Sequence, residues 1–245
     1  MKRFKIFAVL FIFSLFFSCK KYNQIQQDIL DDEPPKNLYL ADSPWPISHR
    51  NTYAQASSPL PGPDAMNGNI FVKDYKPLLP GLITLAISGE YSDGKHVIWG
   101  NTISTVFKAE DTGAGFNILA TYQKPDVGIA NLFSIDNAVS GAYTFVDKDN
   151  IFYVPKGYKL SSYTDAISDN RLSSIVLKNT FEIPINLRQS DERIVGLTLT
   201  YDGKIVFASN NGLIGLMNRD FTDLKYYQLP ADEEISNSIA CDENG

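Results

Sequence analysis

The chain has 245 residues, 44% of them hydrophobic, with 28 acidic side chains against 22 basic ones and a formal net charge of −6. That is enough to bury a core, and an acidic balance argues against nucleic acid or an anionic membrane surface as the main partner. With 2 cysteines and 2 histidines a zinc centre of the usual kind is excluded, and a Ser-His-Asp arrangement has little room.

The first segment reads as an export signal. Lys2, Arg3 and Lys5 precede an apolar run from Ile6 to Phe17, and small Ser18 stands before Cys19. A run this short cannot span a hydrocarbon core, which needs about 20 residues, so the segment targets rather than anchors. Loss of residues 1–18 takes the net charge from −6 to −9.

Leu15-Phe16-Phe17-Ser18-Cys19 resembles the lipobox of bacterial lipoproteins, with Phe16 where that family usually has Leu. The resemblance implies that Cys19 is the lipidation site, carrying the diacylglycerol that holds the mature protein to a lipid bilayer, with the outer membrane of the cell envelope the expected address. More than one acyl chain makes such an anchor firm, each buried CH₂ contributing about 0.8 kcal/mol. Residues 19–37 are polar, include Pro34-Pro35 and show no apolar period, as a solvated tether requires.

A domain over residues 38–245 follows. Its lead-in, Ser43 to Pro63, is rich in proline and should run extended. Trp45-Pro46, His49-Arg50-Asn51, Ser58-Pro59 and Pro61-Gly62-Pro63 resemble the lead-in of PQQ-like (quinoprotein-like) propellers, and Ala109, Asp111, Thr112 and Gly113 are loosely similar to that superfamily's repeat signature. The likeness implies a β-propeller. It gives little support to the quinone, because no Trp closes the following strand and the other repeats lack the signature.

The repeats themselves carry the fold. Asp93-Gly94, Asp149-Asn150, Asp202-Gly203 and the Asp242–Gly245 stretch each mark a turn, the first three leading into an apolar strand such as Ile205-Val206-Phe207-Ala208. The first three lie 56 and 53 residues apart, the length of a four-stranded antiparallel blade with its turns. The reading is all-β: a partial propeller of three blades plus the first strand of a further one.

Strands are expected over 83–91, 95–100, 104–109 and 116–123 in the first unit, 142–146, 150–154, 159–164 and 175–181 in the second, and 195–201, 204–209, 213–218 and 224–228 in the third. Pro125, Pro184 and Pro230 each close a unit. Gly245 falls inside a turn whose partner strand does not follow, so the chain is expected to be the N-terminal part of a protein of roughly 350 to 400 residues, at about 50 per blade.

Candidate chemistry is sparse. His96, beside a turn, reads as structural or surface, and His49 as a hydrogen bond tying the lead-in to the sheets. Cys241, alternating with Ile239, should pack as a small hydrophobe, and no disulfide is expected. Asp147-Lys148-Asp149-Asn150 and Asp242-Glu243-Asn244 resemble fragments of a calcium loop but lack its spacing and its closing Glu, and hairpin turns use the same residues. Gly113 and Gly115 make no phosphate loop, since neither the helix nor the lysine is there. No cofactor is evident from the residues; calcium and PQQ enter only through family likeness.

Two function classes stand. One is a lipid-anchored binding module whose end-of-sheet loops contact an envelope protein or polysaccharide. The other is a propeller enzyme, a lactonase-type hydrolase or a quinoprotein-like oxidoreductase, whose site lies mostly in further blades. The strands expected innermost offer Thr84, Ser88, Thr144, Thr198 and Thr200 and no carboxylate, which favours binding.

Overall fold

The computed structural model describes residues 36–47, 82–102, 104–113, 115–124, 143–231, 233–236 and 239–241. Cys19, His49, the rest of the proline-rich lead-in, Pro125 and the turn after Cys241 lie outside the described residues.

Among the described residues, twelve strands form three four-stranded antiparallel sheets, each in sequential order, the architecture of a partial β-propeller. The first holds β1 (Leu82–Ile87), β2 (Ile98–Thr102), β3 (Thr105–Asp111) and β4 (Phe116–Gln123). The second holds β5 (Phe145–Val146), β6 (Phe152–Lys156), β7 (Lys159–Asp165) and β8 (Ile175–Glu182). The third holds β9 (Ile194–Leu199), β10 (Ile205–Ser209), β11 (Leu213–Met217) and β12 (Lys225–Gln228). Among the described residues the one helical element is the 3₁₀ turn Ile185–Leu187, just past Pro184, and no helix is long and apolar enough to cross a membrane.

One chemical device recurs at each first hairpin. The first strand runs into a residue whose side-chain oxygen is buried, and that oxygen accepts the backbone N–H that opens the second strand. Ser88 Oγ accepts from Val97 at 2.8 Å, Asp147 Oδ1 from Ile151 at 3.0 Å, and Thr200 Oγ1 from Lys204 at 2.8 Å. The second turn residue sits in the left-handed region in all three: Gly94 (φ 74°), Asn150 (57°) and Gly203 (82°). Asp-Gly and Asp-Asn are used because other residues resist that conformation.

All twelve expected strands are present; β4 falls on its expected residues and the other eleven have shifted ends. The first hairpin departs most, because Ser88 to Val97 is a wide turn: β1 stops at Ile87 and β2 starts at Ile98 instead of Lys95. β5 is cut to two residues, and its free edge is taken by the lead-in, with Ala41 N–H donating to Val146 O and Val146 N–H to Pro46 O. The lead-in also reaches β1, through Ile87 N–H to Trp45 O, and the residues just before it reach β9, through Asn37 Nδ2 to Leu199 O. Residues 37–47 thus stitch the first strands of all three sheets.

Two apolar clusters fill the spaces between sheets. Trp99, Val106, Val146, Phe152, Val154 and Tyr163 join the first sheet to the second, with Trp99 stacked on Phe152 at 5.5 Å. Phe145, Tyr153, Leu160, Leu197, Leu199 and Phe207 join the second to the third. Burying each such aromatic contributes about 1.5–3 kcal/mol.

Gly100 pairs with Phe107, and Gly215 with Phe207. A Cβ on these glycines would stand 2.4 and 2.2 Å from the ring, so the ring lies flat over the bare backbone. Gly215→Ala is expected to cost about 1–3 kcal/mol by overpacking. The guanidinium unfolding midpoint reads this, and an unchanged midpoint would show that the Phe207 ring is not wedged there.

Residues 239–241 make no strand pairing among the described residues. Ile239 packs against Gly196 of β9, and Cys241 is buried, as a small apolar side chain would be.

Candidate functional site

The hairpin of the second sheet, that of the third, and the loop between β11 and β12 converge on a cleft of about 380 Å³. Tyr39, ahead of the lead-in, forms part of its wall, with Asp147, Asp149, Tyr153, Lys178, Asp202, Lys204, Asn218, Arg219 and Asp220.

Its floor is an ion pair. Asp147 is fully buried, and its carboxylate is saturated: Oδ1 accepts the N–H groups of Asp149 (2.9 Å) and Ile151 (3.0 Å), and Oδ2 accepts Arg219 Nη1 (2.7 Å) and the Tyr153 hydroxyl (3.1 Å). Burial pushes the Asp147 carboxyl above the usual range, against the pull of those N–H groups and of Arg219. Burial, and then Asp147 beside it, raises the Tyr153 phenol in turn.

Arg219 also reaches Asp149 at 2.9 Å, and its guanidinium lies 5.6 Å from the centre of the Tyr39 ring. Tyr39 is set by Gly203, where a Cβ would fall 2.5 Å from the ring. At φ 82° this position already calls for glycine, so the turn and the wall of the cleft share one residue.

The rim is shaped by the β11–β12 loop. Phe221 (φ 69°) and Asp223 (φ 55°) are both left-handed, a cost of about 1 kcal/mol or more each. Phe221 stands edge-on to Tyr153 at 6.0 Å, and Arg219 and Asp220, just before it in the chain, line the opening. Asp220 accepts from the Thr222 hydroxyl (2.6 Å) and N–H, and these bonds hold its carboxyl low. Asp202 is held low by the Thr200 hydroxyl and then by Lys204, whose ammonium is 3.0 Å away.

The residues singled out from sequence fall into place unevenly. Asp147 and Asp149 are brought into the cleft, with their oxygens spent on backbone N–H groups and Arg219. His96 is exposed, its Nδ1 2.8 Å from Ser88 O, the geometry of a ring N–H donated to a carbonyl. Ser88 and Thr200 serve the hairpins. Thr144 donates to Thr84 Oγ1 (3.0 Å), which donates to Asn101 Oδ1 (2.5 Å), so both threonines are spent within the sheets. Thr198 Oγ1 is buried without a hydrogen bond among the described residues. Gly113 N–H bonds Asp111 Oδ1 at 2.7 Å, closing the exposed β3–β4 turn.

Tyr39, Lys178, Asn218, Arg219 and Asp220 escape a reading of the sequence. The signal that could have found Arg219 is its place in the repeat: it stands where the first two units have Asp111 and Asp165, each two residues beyond the residue paired to the start of the second strand. Lys124 escapes it too. It is buried with its ammonium on Thr102 O at 2.8 Å, and burial, then Lys156, brings it down to about 7.

No family model matches the chain. It is 40% identical over 225 residues to an uncharacterized protein of Archaeoglobus fulgidus, an alignment that covers 87% of this chain and 40% of that protein. The chain therefore spans about two-fifths of the length of that relative. Among solved structures it is similar to the extracellular domain of a hybrid two-component system of B. thetaiotaomicron, at 15% identity and a TM-score of 0.36 over 66% of this chain and 19% of the other. A score of that size carries no argument about this chain.

Proposed function

We propose that this chain is a lipid-anchored binding module of the cell envelope that takes a glycan in the cleft between its second and third sheets. The observation that carries the reading is the state of the carboxylates there. Asp202 and Asp220 are held ionised by hydroxyls and a lysine, and Asp147 is saturated by four donors. Asp202 and Asp220, exposed and held ionised, accept hydrogen bonds from sugar hydroxyls and are poor carriers of a proton, while Asp147 is spent beneath them.

The volume sits at the low end of the range of about 300–1,000 Å³ for small-ligand sites, which suits one or two sugar rings. The lining of carboxylates, amide, lysines, an arginine and two tyrosines offers donors and acceptors in both senses. A protein partner would call for a larger patch with an apolar centre. Anchoring through Cys19 rests on the signal and lipobox residues; Asn37, the last residue of the expected tether, is buried against β9, so the polar stretch of residues 19–36 is what would serve as the tether.

The test is titration of the full chain in detergent micelles against neutral and anionic envelope oligosaccharides, beside metabolic labelling with radioactive palmitate. Saturable binding is expected for at least one glycan class. Asp202→Asn or Asn218→Ala should weaken it by about tenfold, the loss of one good hydrogen bond to a charged or amide group, with an unchanged circular dichroism spectrum. Label should be lost in Cys19→Ala. Binding by neither class, or equal binding by the variants, sinks the glycan reading, and label retained by Cys19→Ala sinks the anchor.

A further inference from the structure

The charges of the cleft are unequally spent. Four carboxylates line it against three cations, Lys178, Lys204 and Arg219, an excess of one negative charge. Two of the cations are already committed: Arg219 Nη1 lies 2.7 Å from Asp147 Oδ2 and 2.9 Å from Asp149 Oδ2, and Lys204 Nζ lies 3.0 Å from Asp202 Oδ2. Among the described residues only Lys178, on the outermost strand of the second sheet, has no ion-pair partner of the three.

Oxygens are left over. Arg219 takes only Oδ2 of Asp149, and the Thr222 hydroxyl and N–H take only Oδ1 of Asp220. Because the Thr222 hydroxyl gives its proton to Asp220, its oxygen has to accept from Asn218, at 2.9 Å, which fixes the amide nitrogen there and leaves Asn218 Oδ1 on the other side. Among the described residues no hydrogen bond reaches Asp149 Oδ1, Asp220 Oδ2 or Asn218 Oδ1. The carboxylate side chains are also the more open groups, with Asp149 56% and Asp202 61% exposed against 23% for Arg219.

Resting on the glycan reading above, we propose that the cleft selects its sugar by charge: it takes a glycan bearing a free amine, holds the neutral counterpart less tightly and the acidic one least. A protonated amine brings donors only and a positive charge to a lining whose unspent groups are mainly oxygens. A uronic acid sets its own oxygens against them and finds two of the three cations occupied. Like charges brought within a few ångströms reject the wrong ligand as effectively as good contacts select the right one.

The test is calorimetric titration of the full chain in detergent micelles, at mildly acidic pH, with three matched linear tetrasaccharides built of glucosamine, of glucose and of glucuronic acid. Affinity is expected to fall in that order by about tenfold per step, the scale of one charge at a solvated site, and the steps should narrow in about 0.5 M salt. Asp220→Asn should shrink the first step by about threefold or more, and Lys178→Gln should widen the second; both side chains are exposed, so the fold is not at stake. Equal affinity for the three, or tightest binding of the glucuronic acid chain, overturns the charge rule and leaves the glycan reading standing. An order that neither salt nor the two variants alter overturns it as well. If none of the three binds, the charge rule falls, and the wider panel of envelope oligosaccharides decides the glycan reading by itself.

Discussion

Asp165→Ala is expected to destabilise the protein by about 3–5 kcal/mol, because it strips the counter-charge from a lysine that has no route to water. Lys108 lies in β3 and is fully buried. Its ammonium donates to Asp165, to Arg171 O at 2.8 Å and to Ser173 O at 2.9 Å, and it stands 5.5 Å from the centre of the Trp99 ring. Asp165 in turn accepts the Tyr91 hydroxyl at 2.8 Å. The network joins the first sheet to the second, and Arg171 extends it outward to Asp93 and Glu110.

Burial already holds the Lys108 ammonium below its ordinary range, and Asp165 offsets only part of that. A lysine depressed in the folded state binds its proton less tightly there than in the unfolded chain, so stability rises with pH up to the unfolded value of about 10.4. Asp165→Ala deepens the depression, and its deficit should therefore shrink as pH rises from 7 towards 10. A guanidinium unfolding series over that range reads both the loss and its slope. Replacing the whole unit, Lys108→Met with Asp165→Leu and Tyr91→Phe, should recover most of the stability, because apolar groups of similar size fill a buried ion pair's place at little cost. A triple variant as weak as Asp165→Ala would show that the charges, and not their mutual satisfaction, hold the sheets together.

The hairpins are legible in the sequence because their demands are local: Asp202-Gly203 must turn with a positive φ, and Ile205 to Ala208 must alternate or bury within a few residues of it. The same logic locates β4 to the residue, since Phe116 to Gln123 is bounded by Gly115 and Lys124. Lys108 is illegible, because a lysine inside Val106-Phe107-Lys108-Ala109 reads as the solvent face of a strand until Asp165, 57 residues on, is set opposite it. Tyr39 and Arg219 meet ring to guanidinium at 5.6 Å across most of the chain, a contact no local pattern encodes. Inner threonines look like candidates for chemistry, and most are consumed by sheet and turn hydrogen bonds. The cleft thus lies where loops from separate repeats converge, and repetition in sequence marks the loops without telling which will face each other.

Arg219→Ala is the corresponding experiment at the second junction, and its pH dependence runs the other way. Asp147 keeps its two backbone N–H donors and the Tyr153 hydroxyl in that variant but loses, among the described residues, the only positive charge on it, for a cost of about 3–5 kcal/mol at pH 7. Its carboxyl is already raised in the folded protein, and removing Arg219 raises it further. A carboxyl that binds its proton more tightly when folded gives a stability that is unpenalised below the unfolded value of about 3.9 and falls as pH climbs from there to the folded pKa. The deficit of Arg219→Ala should therefore be small near pH 4 and grow by up to about 1.4 kcal/mol per pH unit until Asp147 ionises. Adding Asp147→Asn removes the titrating group, so the double variant should lose the slope while keeping the backbone bonds through the amide oxygen. A slope that survives in the double variant would assign the effect to another carboxylate, Asp149 first, as it shares the same guanidinium. Because Arg219 forms both the ion pair under the cleft and part of its wall, glycan affinity should fall in Arg219→Ala at every pH, whereas the stability loss fades at acid pH, where Asp147 is protonated in the parent as well.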